Sequence, residues 1–174
     1  MTESGSRAEP HTHAALNATR SKQVPAPLRL LAVVDGTECT NRVLDYIVTL
    51  AQGRDAVDVI VLNVQTMRED DRLRGYQSFK QEEVHERLIN DVGAPIVGNA
   101  GRRLNKAHIP YRSEVLIGEP VQTIVRCAAE EDCDSIVIGQ RPPEGMRGWI
   151  SVTLGLSPVQ RLLAAANIPV VVLK

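Results

Sequence analysis

Asp134-Ser135-Ile136-Val137-Ile138-Gly139 is a short apolar run closed by glycine, the pattern of a buried strand opening into a loop. The loop that follows, residues 140–153, carries Gly145 and Gly148 together with Arg141 and Arg147. Ser157-Pro158 then reads as a helix start. Serine is a favoured N-cap, and proline fits the first helical position because its missing N–H would have no intrahelical partner there. Leu162 and Leu163 are expected on one face and Asn167 is expected to stop the helix, after which Pro169-Val170-Val171-Val172-Leu173 forms a second apolar strand. Strand, glycine loop and helix N-terminus together aim backbone N–H groups at an anion.

Composition bounds what can surround this unit. A chain of 174 residues suits a single domain with its own core. Its apolar residues are mainly Val, Ile, Leu and Ala, with one Phe and one Trp, and aliphatic runs of this kind suit parallel strands covered on both faces. A formal charge of −1 gives no basic excess for nucleic acid or a membrane surface. No run approaches the roughly 18 apolar residues of a membrane span. The N-terminus lacks the apolar core of a secretory signal, so the expected compartment is the cytoplasm.

In chain order, residues 1–27 are rich in Ser, Thr, Ala, Pro and charge without an apolar period, and are expected to form a disordered tail before a domain over 28–174. Residues 28–34 form the first strand, ending at Asp35-Gly36-Thr37-Glu38. A carboxylate there either contacts a ligand or caps the turn, and the residues alone do not separate the two. Residues 40–52 have helical period, 57–64 form a second strand, and 65–80 are polar. A long helix over 82–106, with Leu88, Val92, Ile96, Ala100 and Leu104 at steps of four, is expected to kink at Gly93 and Pro95. Residues 111–117 form a third strand, and Gly118-Glu119-Pro120 opens a further helix. Five strands alternating with helices make a doubly covered parallel sheet of the α/β class.

Cysteine and histidine add little chemistry. Cys39, Cys127 and Cys133 have no metal-ligand spacing and are expected to be small buried residues in a reducing compartment. His11 and His13 lie in the tail, with nothing to hold them as ligands. No His or Cys is expected near the crevice, and no nucleotide-loop or hydrolase motif is present.

Five motifs in order, Val33-Val34-Asp35-Gly36-Thr37-Glu38, Leu62-Asn63-Val64, Gly118-Glu119-Pro120, Ile136-Val137-Ile138-Gly139 and Ile168-Pro169-Val170-Val171-Val172, resemble the landmarks of the universal stress protein family over residues 28–174. The resemblance implies a doubly wound sheet of strand order 3-2-1-4-5, with a ligand crevice where the order reverses. It also implies ATP as a candidate cofactor. Asp35 would contact the adenosine part and Val64 would pack on the base. The loop with Gly139, Gly145, Gly148 and Ser157 would hold the phosphates, and Val33, Val34 and Ile138 would form apolar walls. A homodimer through the fifth strand, Pro169, Val170, Val171, Val172 and Leu173, is implied as well.

The phosphate half departs from the family pattern G-x2-G-x9-G-[ST]. Leu156 stands where glycine is expected before Ser157, the loop after Gly139 is enlarged, and Pro158 lacks an N–H. A side chain at 156 hinders the close approach of backbone to phosphate, and Pro158 removes one free donor of the first turn. The expected function is therefore a non-catalytic stress regulator, a dimeric interaction module for an unidentified protein partner, with weak or lost ATP binding. The alternatives are an ATP-dependent switch and a hydrolase-like enzyme of similar fold that acts on adenine nucleotides.

Overall fold

The computed structural model describes residues 26–54, 56–67, 78–140 and 157–174. The elements run β1 (Leu28–Val33), α1 (Glu38–Gln52), β2 (Val57–Gln65), α2 (Ser78–Arg87), a π-turn (Leu88–Gly93), α3 (Ala94–Lys106), β3 (Tyr111–Ile117), α4 (Pro120–Glu130), β4 (Ser135–Gly139), α5 (Pro158–Ala165) and β5 (Val170–Leu173). The expected tail, most of the polar stretch 65–80 and the glycine loop bearing Arg141, Gly145, Arg147, Gly148 and Leu156 lie outside the described residues.

The strands form one parallel sheet of order β3-β2-β1-β4-β5. β1 is central, with Leu30 paired to Val59 on one side and to Ser135 on the other. Its continuous apolar run follows from this, because both faces are covered. Leu30, Ala32, Val59 and Val61 pack under α1 and α3 through Val43, Ile47, Ala100 and Leu104. Leu31, Ile60, Leu62 and Ile136 pack under α4 and α5 through Ile124, Ala128 and Leu162. The progression of strands reverses between β1 and β4, the point at which a doubly wound sheet leaves a crevice at its strand C-terminal ends.

Local chemistry sets the helix ends. α1 begins at Glu38, earlier than the Thr40 read from the sequence, because Thr37 is its N-cap and accepts from the Cys39 N–H. At α5, Ser157 is the N-cap and Pro158 opens the helix as expected. Gln160 completes a capping box, so both members satisfy an orphan donor of the other. This helix stops at Ala165, with Ala166 already extended, before Asn167 is reached.

Two side-chain expectations fail for geometric reasons. Leu162 is 1 % exposed but Leu163 is 50 % exposed, since adjacent helical residues are a hundred degrees apart and α5 is covered on one side only. The expected kink is a π-turn in which the Ala94 N–H donates to the Ile89 carbonyl, five residues back. One extra residue per turn rotates the face. Gly93 therefore turns inward while Val92 is 40 % exposed, and the step-of-four stripe is kept at Ala100 and Leu104.

Candidate functional site

The crevice is a cavity of about 180 Å³ lined by Val33, Val34, Asp35, Asn63, Val64, Pro120, Val121, Ile124, Ile138, Pro158 and Leu162. Five residues singled out from the sequence meet here: Val33, Val34, Asp35, Val64 and Ile138. A larger hollow of about 620 Å³ lies around Val48, His108 and Pro110 at the opposite end of the strands. Volume is a poorer guide than topology here, because the loops free to hold a ligand are those at the strand C-termini.

Asp35 sits where β1 leaves the sheet. Its Oδ1 accepts from the Thr37 N–H at 3.0 Å, the Thr37 hydroxyl at 2.6 Å and the Thr40 hydroxyl at 3.1 Å. Thr40 Oγ1 in turn accepts from the Asp35 and Gly36 N–H groups, each at 3.0 Å. The positive φ of Gly36, 76°, is the left-handed turn that glycine tolerates best, and it lets the chain double back to this hydroxyl. Asp35 is thus a turn-organising carboxylate that also stands exposed at the cavity edge. The turn-capping reading of this residue is the one its hydrogen bonds show.

The opposite wall is built by α4 and α5. Glu119 Oε2 caps α4 by accepting from the Gln122 N–H at 2.9 Å, and its Oε1 accepts from Arg161 of α5. The bond from the Gln122 N–H holds the Glu119 carboxyl below its usual range, and the Arg161 charge acts in the same direction. Pro120, Val121, Ile124 and Leu162 then supply apolar cover over Val64. Sequence reasoning assigned no site role to these four. The available signal was that the helices after β3 and before β5 must cover the face on which Val64 lies.

Gly139 and Ser157 are not among the residues that line this cavity. A Cβ on Gly139 would stand 2.6 Å from the Cys39 Cβ and 2.9 Å from the Cys39 carbonyl oxygen, so its missing side chain lets α1 approach the end of β4. Cys39 therefore packs on the end of β4 and is not among the residues that line the cavity. The first turn of α1 has to pack on β4 once both strands end at the same level. Arg42 spans the same junction, donating to the Gln140 carbonyl at 3.3 Å and the Cys39 sulfur at 3.1 Å.

Ser157 is adjacent to the lining residue Pro158, but its polar atoms are engaged. Its hydroxyl accepts from the Gln160 N–H at 3.2 Å, and its own N–H donates to Gln160 Oε1 at 2.8 Å. Cys127 and Cys133 are buried and free. Burial pushes their thiols up to about 12 and about 11, so neither is a ready nucleophile at neutral pH. Among the described residues no group of His, Cys, Asp and Glu could hold a metal ion.

Comparison with known proteins agrees with this architecture. The structure of a universal stress protein from Archaeoglobus fulgidus is similar at a TM-score of 0.59 and 23% identity, covering 84% of this chain and 93% of that one. The A. fulgidus universal stress protein in complex with dAMP matches at 0.52 and 23%, covering 85% and 98%. An Arabidopsis thaliana family protein with AMP bound matches at 0.58 and 14%, covering 85% and 92%. At these identities the likeness is one of fold. The model of the universal stress protein family matches residues 28–174, and the chain belongs to that family.

Proposed function

We propose that the protein is a non-catalytic stress regulator, a dimeric interaction module whose crevice takes the adenosine end of an adenine nucleotide and holds ATP weakly or not at all. The observation that carries this reading is the self-capped N-terminus of α5. Of the donors in its first turn, the Ser157 and Gln160 N–H groups are engaged within the capping box, and Pro158 has none. Each missing bond to a charged phosphate weakens binding by about 1.5–3 kcal/mol, roughly ten- to a hundredfold. The cavity of about 180 Å³ also falls below the ~300 Å³ of a small ligand site. It suits a base better than a whole nucleoside triphosphate.

Val33, Val34, Val64 and Ile138 offer the apolar walls and Asp35 the polar contact of such a site. Similar folds carry AMP and dAMP, ligands with a single phosphate. The reading as an ATP-dependent switch keeps one specific support, the ordered Asp35 turn, and differs only in the weight of the phosphates. A hydrolase-like enzyme has less support, because Asp35-Gly36-Thr37-Glu38 is folded on Thr40 and is not a phosphate loop. No described helix is long and apolar enough to cross a membrane, and the cytoplasm is the compartment proposed.

Calorimetric titration with adenosine, AMP and ATP tests the proposal. Adenosine and ATP should bind within about threefold of one another, with ATP no tighter than about 10 μM. An ATP dissociation constant below that value, with adenosine much weaker, overturns it in favour of the switch.

A further inference from the structure

Asn63 is a polar side chain inside an otherwise apolar strand. It is 3 % exposed, between residues of β2 that are largely buried. A buried amide must find partners for its donor and acceptor, and both are identified. Asn63 Nδ2 donates to the Val34 carbonyl at 2.7 Å. Asn63 Oδ1 accepts from Gln65 Nε2 at 2.5 Å. Because a carbonyl can only accept, Val34 dictates which end of the amide faces it, and Gln65 satisfies the other end.

The bond lies where β1 peels away from the sheet. The Val34 N–H still donates to the Leu62 carbonyl at 2.9 Å, one rung past the end of β1. Its carbonyl is then held by the Asn63 side chain, and the next two N–H groups turn to Thr40. From behind, Gly93 of the π-turn leaves the room this amide needs. A Cβ there would come 3.2 Å from Asn63 Oδ1 and would run into Val115. At the other end, the Gln65 carbonyl accepts from the Gly118 N–H at 2.9 Å, in the turn that leads to Pro120.

We infer that Asn63, oriented by Gln65, is the positioning residue of the crevice: it ties the turn that carries Asp35 to the turn that carries Pro120. It thereby sets where Asp35 stands for an adenosine ligand. The ligand half of this inference rests on the function proposed above, whereas the half concerning the turn stands without any ligand.

The test uses the full chain with Asn63→Leu and Gln65→Leu, each also combined with Asp35→Ala. Without ligand, the Gly36 and Thr37 amides should exchange with deuterium about tenfold faster than in the wild type, while those of Leu31 and Ala32 in β1 keep their protection. Adenosine affinity should fall about tenfold in Asn63→Leu and by less in Gln65→Leu. Both losses should vanish in the Asp35→Ala background, since Asn63 acts through Asp35. Equal losses with and without Asp35, or unchanged exchange at Gly36 and Thr37, overturn the inference. Wild-type protein that binds no adenosine overturns the ligand half and the proposed function together, and the exchange result then decides the positioning role alone. If Asn63→Leu fails to fold, the partly buried Gln65→Leu decides both arms.

Discussion

Glu119 and Arg161 join the two helices that cover the crevice, the carboxylate at the head of α4 pairing with the guanidinium in the first turn of α5. The same carboxylate caps α4 through the Gln122 N–H. One residue therefore serves the helix end and the contact between helices, and the prolines that open the two helices, Pro120 and Pro158, line the cavity.

This gives a pH dependence of known sign. The folded state lowers the Glu119 pKa, first through the Gln122 N–H and then through Arg161. The contribution is therefore present above the unfolded value of about 4.3 and is lost as pH falls through the lower folded value. Wild type should melt above Glu119→Gln at pH 7, and the gap should close progressively below about pH 4. A gap that is constant from pH 7 to 3 would show that the charge contributes nothing.

Pro158 offers a gain-of-binding test. Pro158→Ala restores an N–H in the first turn of α5 without adding bulk to the crevice. ATP affinity should rise about tenfold, the value of one charge-assisted hydrogen bond, while adenosine affinity stays level. An equal rise for adenosine would mean the substitution had reshaped the base pocket instead.

Leu162 and Leu163 separate burial from hydrophobicity. Leu162 is 1 % exposed beneath α5 and packs among Ile124, Ala128 and Ile136, so Leu162→Ala should cost about 2–5 kcal/mol in a denaturant titration. Leu163 is 50 % exposed, and Leu163→Ala should stay within about 0.5 kcal/mol. Equal effects would place both side chains in the core.

Much of this fold was legible because β1, β2 and β4 are covered on both faces and so read as nearly continuous apolar runs. The Ser157-Pro158 start was legible because capping is local chemistry. The Val92 and Leu163 faces were not, since a π-turn and a one-sided cover are decided by packing that periodicity does not record. At the crevice, Val33, Val34, Asp35, Val64 and Ile138 could be picked out because they end strands at the reversal of order, and they line one cavity. Asn63 was named only within a motif, although a polar residue inside the Val57–Gln65 run was the visible sign of a buried hydrogen bond. The close approach of Cys39 to Gly139 left no mark in the sequence, because helix–strand packing is set by the fold.

The fifth strand supports the last prediction, a homodimer. β5 is an edge of the sheet, paired with β4 from Val170 to Leu173 and with no further strand beyond it among the described residues. Its four residues are all half-buried aliphatics, and the exposed Pro169 and Lys174 flank them. An apolar edge of this kind invites pairing unless it is covered or charged, and one lysine is a weak deterrent. Two copies meeting by a two-fold axis would satisfy the free edge groups of both strands through one self-complementary contact. The Pro169 and Leu173 carbonyls accept from the Ile136 and Gln140 N–H groups on the β4 side, so by alternation Val171 also faces β4 and Val172 faces outward. Val172→Pro would therefore remove a donor from the free edge, where a proline is tolerated far better than within a paired ladder. The variant should therefore keep its far-ultraviolet spectrum and sediment as a monomer at micromolar concentration where wild type sediments as a dimer. Wild-type protein that is monomeric under those conditions would leave this edge without the proposed partner and refute the dimer.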